Sequence, residues 1–217
     1  MGSESPRRIV ISPGDSPDAV RVILDEFIRI IQAGGLIVFP TETSYLLGAD
    51  GHNAEAVGRL FRSKNRPRNM PLSMAFHNIE SAKRWTLWDA RAHRLADRFL
   101  PGPLTLILPL RAGTGRIHGI PDDNVGIRVP GYPLLLDLLS RLHVPLTATS
   151  ANLHGAPEPY EVDQCVRDVD LILDAGCLPS TRTSTIVSLC KDPPVILREG
   201  AIPSMAIFKV LTDGAEA

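Results

Sequence analysis

The sequence predicts an α/β fold, a single domain in which helices pack on one twisted, mixed β-sheet. Three observations carry this. Short, wholly apolar runs bounded by glycine and proline recur along the chain, as in strands buried on both faces. Amphipathic stretches of helical period lie between some of these runs, but other runs follow one another across short turns, which a strictly doubly wound order would not allow. Finally, 217 residues with 44% hydrophobic content suffice for one sizeable core, and the length favours one domain over two.

Residues 1–15, rich in Ser, Pro and Arg, are expected to form a flexible leader, with the catalytic domain over residues 16–217. Ser16-Pro17-Asp18 offers an N-cap, a proline at the first helical position and an early acid. The apolar residues Val20, Ile23, Leu24, Phe27, Ile30 and Ile31 then recur at helical spacing, and Gly34-Gly35 supplies a left-handed stop, so a helix is expected to about Ala33. Leu36 to Phe39 reads as a buried strand. Further strands are expected at Leu72–Phe76, Leu104–Leu110, Val125–Val129, Pro145–Thr149, Val169–Leu173, Thr185–Leu189 and Val195–Arg198. Helices are expected at Ala54–Arg62, Ala90–Phe99, Leu134–Leu142 and Met205–Leu211. No internal repeat or low-complexity linker interrupts the pattern.

Composition excludes several classes of function. A formal charge of −1 gives no global pull toward nucleic acid or an anionic membrane, so any basic site must be local. No apolar run approaches the ~20 residues a membrane-spanning helix needs. The odd set Cys165, Cys177 and Cys190, without CxxC spacing or a preceding signal peptide, points to a reducing cytosol. A P-loop, a nucleophile elbow and HExxH are absent, and the scattered histidines argue against a protein-held metal. Gly113-Thr114-Gly115 begins like a dinucleotide fingerprint, but Pro121 falls where a helix should start, so a surface loop is the better reading.

The sharpest local feature is basic. Between Ala56 and Ile79 there is no acid, yet Arg59, Arg62, Lys64, Arg66 and Arg68 all occur. Val57, Leu60 and Phe61 form a buried helical stripe, so Arg59 and Arg62 belong on a solvated face. Lys64 and Arg66 instead follow the helix in a loop, where a point charge beside a planar guanidinium suits a polyphosphate. Two polar sets stand at strand ends: Pro40-Thr41-Glu42-Thr43, whose two hydroxyls and carboxylate could orient a polar ligand but which alone reads better as a turn with capping threonines, and Thr149-Ser150-Ala151-Asn152. Arg128, in an apolar strand, needs a partner anion from the protein or a substrate. Ser184-Thr185 and Arg198 also sit at strand ends.

Together these segments resemble the YrdC-domain family of threonylcarbamoyl-AMP synthases over roughly residues 20 to 205. The resemblance rests on the ordered set Pro40-Thr41-Glu42-Thr43, Lys64-Asn65-Arg66-Pro67, Pro101-Gly102-Pro103-Leu104-Thr105, Val125-Gly126-Ile127-Arg128-Val129-Pro130, Ser150-Ala151-Asn152, Ser184-Thr185 and Arg198-Glu199-Gly200. It implies a twisted mixed sheet with a positively charged concave cavity, and an enzyme that joins L-threonine, bicarbonate and ATP into threonylcarbamoyl-AMP for tRNA modification. Lys64, Arg66, Asn124, Ser150, Asn152 and Arg198 would contact ATP, with Lys64 and Arg66 as the catalytic stabilisers of transition-state charge. Thr41, Ser73, Arg128, Ala148 and Ser184 would hold threonine. Mg²⁺ would arrive with the nucleotide, held mainly by its phosphates. The chain resembles the short, single-domain form, which relies on separate tRNA threonylcarbamoyl transferase proteins. One departure stands out: Leu46 replaces a glycine usual in the family's Tyr-Gly-Leu-Gly, here Tyr45-Leu46-Leu47-Gly48.

Two other functions are compatible with the same residues. One is an RNA-binding module that uses the basic cavity, opposed by the near-neutral charge and by an aromatic content of only 5%. The other is a divergent relative without synthase activity, opposed by the presence of both Lys64-Asn65-Arg66 and Ser150-Ala151-Asn152.

Overall fold

The computed structural model describes residues 6–213. In chain order the elements are β1 (Arg7–Val10), α1 (Pro17–Gln32), β2 (Ile37–Pro40), β3 (Tyr45–Gly48), α2 (Ala54–Ser63), β4 (Ser73–Ala75), α3 (Ile79–Lys83) and α4 (Ala90–Phe99). They continue with β5 (Leu104–Pro109), β6 (Asn124–Arg128), α5 (Pro133–Arg141), β7 (Leu146–Ser150), β8 (Leu171–Asp174), β9 (Thr185–Ser188), β10 (Val195–Arg198) and α6 (Ser204–Thr212). The strands form one sheet in the order β1-β8-β2-β3-β7-β4-β6-β5-β9-β10. Parallel pairs β1/β8, β2/β8, β4/β6 and β5/β9 stand beside antiparallel ones, so the sheet is mixed as expected.

Local signals explain the ends of the helices. Ser16 accepts from the backbone of Ala19 at 3.3 Å with Pro17 behind it, which starts α1. At the other end Gly34, at φ 83°, donates to Ile31 and Gly35 donates to Ile30, the paired bonds of a left-handed helix stop. The same motif closes α2: Asn65, at φ 52°, donates to Arg62, and Arg66 donates to Phe61. That turn fixes the directions in which Lys64 and Arg66 leave the helix.

The sheet is covered unequally on its two faces. On one side α2, α4 and α6 pack Leu60, Phe61, Leu95 and Ile207 against Val38, Leu47, Met74, Leu106, Ile127 and Val187. On the other side α1 and α5 set Leu24, Phe27, Ile31, Leu135 and Leu138 on Phe39, Leu46, Ala75, Leu146 and Leu171. Strand side chains alternate between faces, so Ser73 shares a face with Ala75, and Ala148 and Ser150 share one with Leu146. The apolar layer therefore ends at Ala75 and Leu146. The next residues along that face, Ser73, Ala148 and Ser150, are small, and they line an open cavity.

Three elements differ from expectation. The flexible leader over residues 1–15 is corrected at Arg7–Val10, which pairs in parallel with β8 while Arg8 donates to Asp174 at 2.6 Å. As an edge strand it buries little, so its sequence shows none of the apolar alternation that marks a strand. Residues 1–5 and 214–217 lie outside the described residues. The strand β3 follows β2 across the tight turn at residues 41–44, and being only four residues long it merges in sequence with the polar turn. The helix α3, one capped turn begun by Asn78, is too short to show a period. The expected loop at Gly113–Gly115 is a turn outside the sheet.

Burial makes the two sides of α1 energetically distinct. Phe27 is fully buried, and Phe27→Ala should destabilise the fold by about 3–5 kcal/mol in urea denaturation. Val22, on the same helix but 62% exposed, should tolerate alanine within about 0.5 kcal/mol.

Candidate active site

The uncovered part of the sheet face is the floor of a cavity lined by Leu46, Ser73, Thr105, Ala148, Ser150 and Ile186. Gly126 completes it, because a Cβ there would stand 2.7 Å from Ser73 Oγ and 3.3 Å from Thr105 Cγ2. Small residues on adjacent strands thus make a depression that helices do not fill. The walls come from the turn after β2 (Thr43, Ser44), from Arg66 with Pro71 and Leu72, from Glu158, and from Thr183, Ser184 and Arg198.

Each cation is anchored by part of its donor set. Arg128, only 5% exposed, donates through Nη2 to Glu42 Oε1 at 2.9 Å and to Thr43 Oγ1 at 2.7 Å. Arg66 donates to the carbonyls of Met70 at 3.3 Å and Pro71 at 2.9 Å. Arg198 donates from Nε and Nη2 to the Ser184 carbonyl at 3.1 and 3.0 Å, and from Nη2 to Ser184 Oγ at 3.1 Å. Ser184 Oγ also lies 3.0 Å from Thr105 Oγ1, which ties the hydroxyls of the floor and the wall together.

The charges perturb one another. Burial first, and then the Arg198 charge, lower Arg66 from its ordinary value. Burial also lowers Arg198; Glu158 opposes that shift and Arg128 adds to it. Arg66, Arg128 and Arg198 line the cavity, with Glu158 on the wall and Glu42 against Arg128. Cations exceed anions, and buried like charges of this kind stabilise a bound anion.

Lys64 occupies a different place from the one its sequence suggests. It is the C-cap of α2 and 1% exposed, not an open loop residue. Its ammonium donates to the carbonyls of Ser150 and Asn152 and to Asn152 Oδ1, at 2.6 Å for the Asn152 carbonyl and 3.2 Å for Oδ1. Burial, followed by the Arg66 charge, lowers it to about 8. Asn152 Oδ1 in turn accepts from Ser150 Oγ at 2.6 Å, and its amide donates to Ala156. Lys64 and Asn152 therefore stand behind the wall and hold Ser150 at the cavity.

Of the residues singled out in the sequence, the structure brings Arg66, Ser73, Arg128, Ala148, Ser150, Ser184 and Arg198 to one cavity. Thr41 is 1% exposed and inside its own turn: its hydroxyl donates to Ser44 O at 2.7 Å and accepts from the backbone of Thr43 and Ser44. Thr41 is thus a turn residue in this structure, and Thr43 is the hydroxyl of the segment that lines the cavity. Asn124 precedes Gly126 by two positions on the same face, but it pairs with Pro109 beyond the cavity floor and donates to Asp123 at 2.7 Å. Arg128 finds its expected anion within the protein, in Glu42. Arg59, expected on a solvated face, pairs with Asp168 and Asp170. Leu46 lines the cavity opposite Ser150 across the β3/β7 pair and also packs into the apolar layer.

Sequence reasoning missed Thr43, Ser44, Thr105, Glu158 and Thr183 as cavity residues. Thr43 and Thr105 lay within segments already noted, and strand alternation distinguishes Thr105 from its inward neighbours Leu104 and Leu106. Glu158 sits in the loop Gly155-Ala156-Pro157-Glu158-Pro159, where no periodic signal marks a carboxylate that accepts from Ser44 at 3.3 Å.

A mixed sheet that carries a cationic, hydroxyl-rich cavity defines an anion-binding α/β domain. The family model described as telomere recombination, for the Sua5/YciO/YrdC domain, matches residues 29–200. The chain belongs to that family. It is 36% identical over 188 residues to the threonylcarbamoyl-AMP synthase of Pyrococcus abyssi, covering 83% of this chain and 55% of that protein. The crystal structure of P. abyssi Sua5 complexed with L-threonine superposes with a TM-score of 0.82 at 31% identity, over 94% of this chain and 61% of the other. The crystal structure of YciO from Escherichia coli gives 0.81 at 26% identity, over 93% of this chain and 99% of the other. The chain thus spans little more than half of the P. abyssi synthase and nearly all of YciO.

The depressed Lys64 has a signed consequence for stability. Between pH 8 and the ordinary lysine value of 10.5 the unfolded chain binds the proton that the folded chain releases, so this group's contribution rises with pH. The difference in unfolding free energy between the native protein and Lys64→Met should move in favour of the native protein by about 1–3 kcal/mol over that window. Denaturant titrations of both proteins at pH 7.5 and 10.5 measure it, and a difference that stays flat would show that folding does not shift the ammonium.

Proposed function

We propose that the cavity synthesises L-threonylcarbamoyl-AMP from L-threonine, bicarbonate and ATP, with release of pyrophosphate and water, as the activated group for threonylcarbamoyl-adenosine in tRNA. The observation that carries this reading is the convergence of Arg66, Arg128 and Arg198 with Ser150, Ser184 and Thr43 on one small-residue floor. Membership of the family and the threonine named in the P. abyssi complex support it.

The chemistry follows from what must be joined. The threonine amine and bicarbonate form a carbamate with loss of water, and a carbamate oxygen then attacks the α-phosphorus of ATP as pyrophosphate leaves. Each partner carries an anionic group, so bringing them together needs fixed positive charge, and the transition state gains most from donors already in place. Arg66 and Arg198, anchored on carbonyls of the wall, face the nucleotide. Ser150, held by Asn152 and Lys64, offers it a hydroxyl. Arg128 with Ser184 and Thr43 receives the amino acid, with Ser73 and Ala148 beneath it. Lys64 adds charge from behind the strand.

The donor set bears on the metal as well. Among the described residues no group of three or more His, Cys, Asp or Glu is arranged to hold a metal ion. Mg²⁺ would enter this cavity as an ion carried by the nucleotide phosphates, with Glu158 the carboxylate on its wall. There it would neutralise phosphate charge and ease departure of pyrophosphate. Among the described residues no helix is long and apolar enough to cross a membrane, and the free cysteines are consistent with the reducing cytosol where tRNA is modified. Separate transferase proteins would carry the product to tRNA.

Pyrophosphate release should require ATP, bicarbonate and threonine together, and release that is indifferent to threonine would remove the assignment. Arg66→Ala should cut turnover by roughly 10² to 10³. Arg128→Ala should act chiefly on the KM for threonine, with Arg128→Lys still impaired because it loses the planar fork.

RNA binding, if the cavity supports it, should be weak and vanish between low and physiological salt in a filter or fluorescence assay. Tight, salt-resistant binding without pyrophosphate release would instead favour an RNA-binding module.

A further inference from the structure

Among the described residues few buried side-chain polar atoms lack a hydrogen-bond partner, and two of them belong to one ion pair: Arg128 Nε and Glu42 Oε2. The pair is closed through its other atoms, with Arg128 Nη2 donating to Glu42 Oε1 at 2.9 Å and to Thr43 Oγ1 at 2.7 Å. The Arg128 side chain is 6% exposed and lines the cavity; that of Glu42, beside it, is 21% exposed. A buried donor or acceptor without a partner is costly, and here one of each is left on the two oppositely charged groups of a single ion pair. The terminal torsion of a glutamate is broad, so rotation about it can offer the carboxylate to a ligand seated on Arg128.

The chemistry of the pair selects its ligand. A phosphate or a simple carboxylate satisfies Arg128 but meets the charge of Glu42 as repulsion. A ligand with an anionic acceptor and a cationic donor on neighbouring atoms satisfies both, and an α-amino acid zwitterion has that form. We infer that Glu42 is a specificity-determining residue of the amino-acid end of the cavity, accepting from the substrate ammonium while Arg128 receives the carboxylate. This rests on the amino-acid substrate of the proposed function and adds the group that reads its amine.

Isothermal titration tests it with three ligands: L-threonine, the 2,3-dihydroxybutanoate that carries a hydroxyl in place of the ammonium, and ATP. The native protein should bind threonine at least roughly 10-fold more tightly than the hydroxy analogue, a comparison that needs no variant. Glu42→Gln, which keeps an oxygen for Arg128, should lose roughly 10- to 100-fold in threonine affinity while the analogue binds no more weakly than to the native protein and ATP binding is unchanged. Equal binding of threonine and its analogue by the native protein overturns the inference. So does an equal loss of both in Glu42→Gln, which would leave Glu42 as a positioning residue for Arg128. If another α-amino acid replaces threonine in pyrophosphate release, the threonine assignment falls, and the comparison is made with that amino acid and its hydroxy analogue. If no α-amino acid binds, both readings fall.

Discussion

Positive charge buried at one end of a sheet face is the constraint on which the rest of the structure depends. Burial lowers Lys64, Arg66 and Arg198, and the neighbouring charges of Arg66, Arg198 and Arg128 respectively lower them further, while the protein supplies fewer carboxylates than would neutralise the four cations. Such groups stay charged and ordered only if fixed acceptors replace water. The acceptors are mostly backbone carbonyls: Met70 and Pro71 for Arg66, Ser184 for Arg198, Ser150 and Asn152 for Lys64. Carbonyls cancel no charge, so the cavity keeps its excess for a ligand.

This constraint explains why widely separated segments occur together. Lys64 joins the turn after α2 to the end of β7, Arg128 joins β6 to the turn after β2, and Arg198 joins β10 to the start of β9. The Thr185 hydroxyl completes the last junction, accepting from Gly200 at 2.9 Å and Ile202 at 3.0 Å and donating to the Ile202 carbonyl. Gly200 lies so close to the backbone of Ser184 that no Cβ fits there. Likewise Gly102 donates to Val129 at 2.8 Å and locks Pro101-Gly102-Pro103 against the segment that carries Arg128. Each short motif is one half of a contact whose other half is elsewhere in the chain.

That pairing also decides how much could be read from the residues alone. The long amphipathic helices and the apolar strands were legible because burial imposes a period, and α1, α2 and α4 begin at the side-chain N-caps Ser16, Asn53 and Asp89. Arg66 and Arg198 were legible as cations at element ends. The depth of Lys64 was not, because a lysine after a helix reads as solvated until its acceptors on β7 are known. Thr41 and Thr43 are two positions apart with the same side chain. Only the turn geometry makes one a structural acceptor and the other a cavity hydroxyl. The strand β1 shows no pattern because an edge strand with exposed faces has none to show.

The open floor and the compressed charges are two sides of one arrangement. Had α1 and α5 extended their apolar layer over Ser73, Ala148 and Gly126, the face would be covered and the arginines would have no anion to meet. The layer stops at Leu46, Ala75 and Leu146, and it is there that the cations crowd. A ligand with phosphate and carboxylate groups relieves the repulsion between guanidinium groups that folding has imposed. It gains that free energy only in the folded protein, so occupancy and stability are linked. Leu46, at the boundary, belongs to both: its side chain closes the apolar layer on one side and forms part of the cavity floor on the other, so any change there alters packing and binding together.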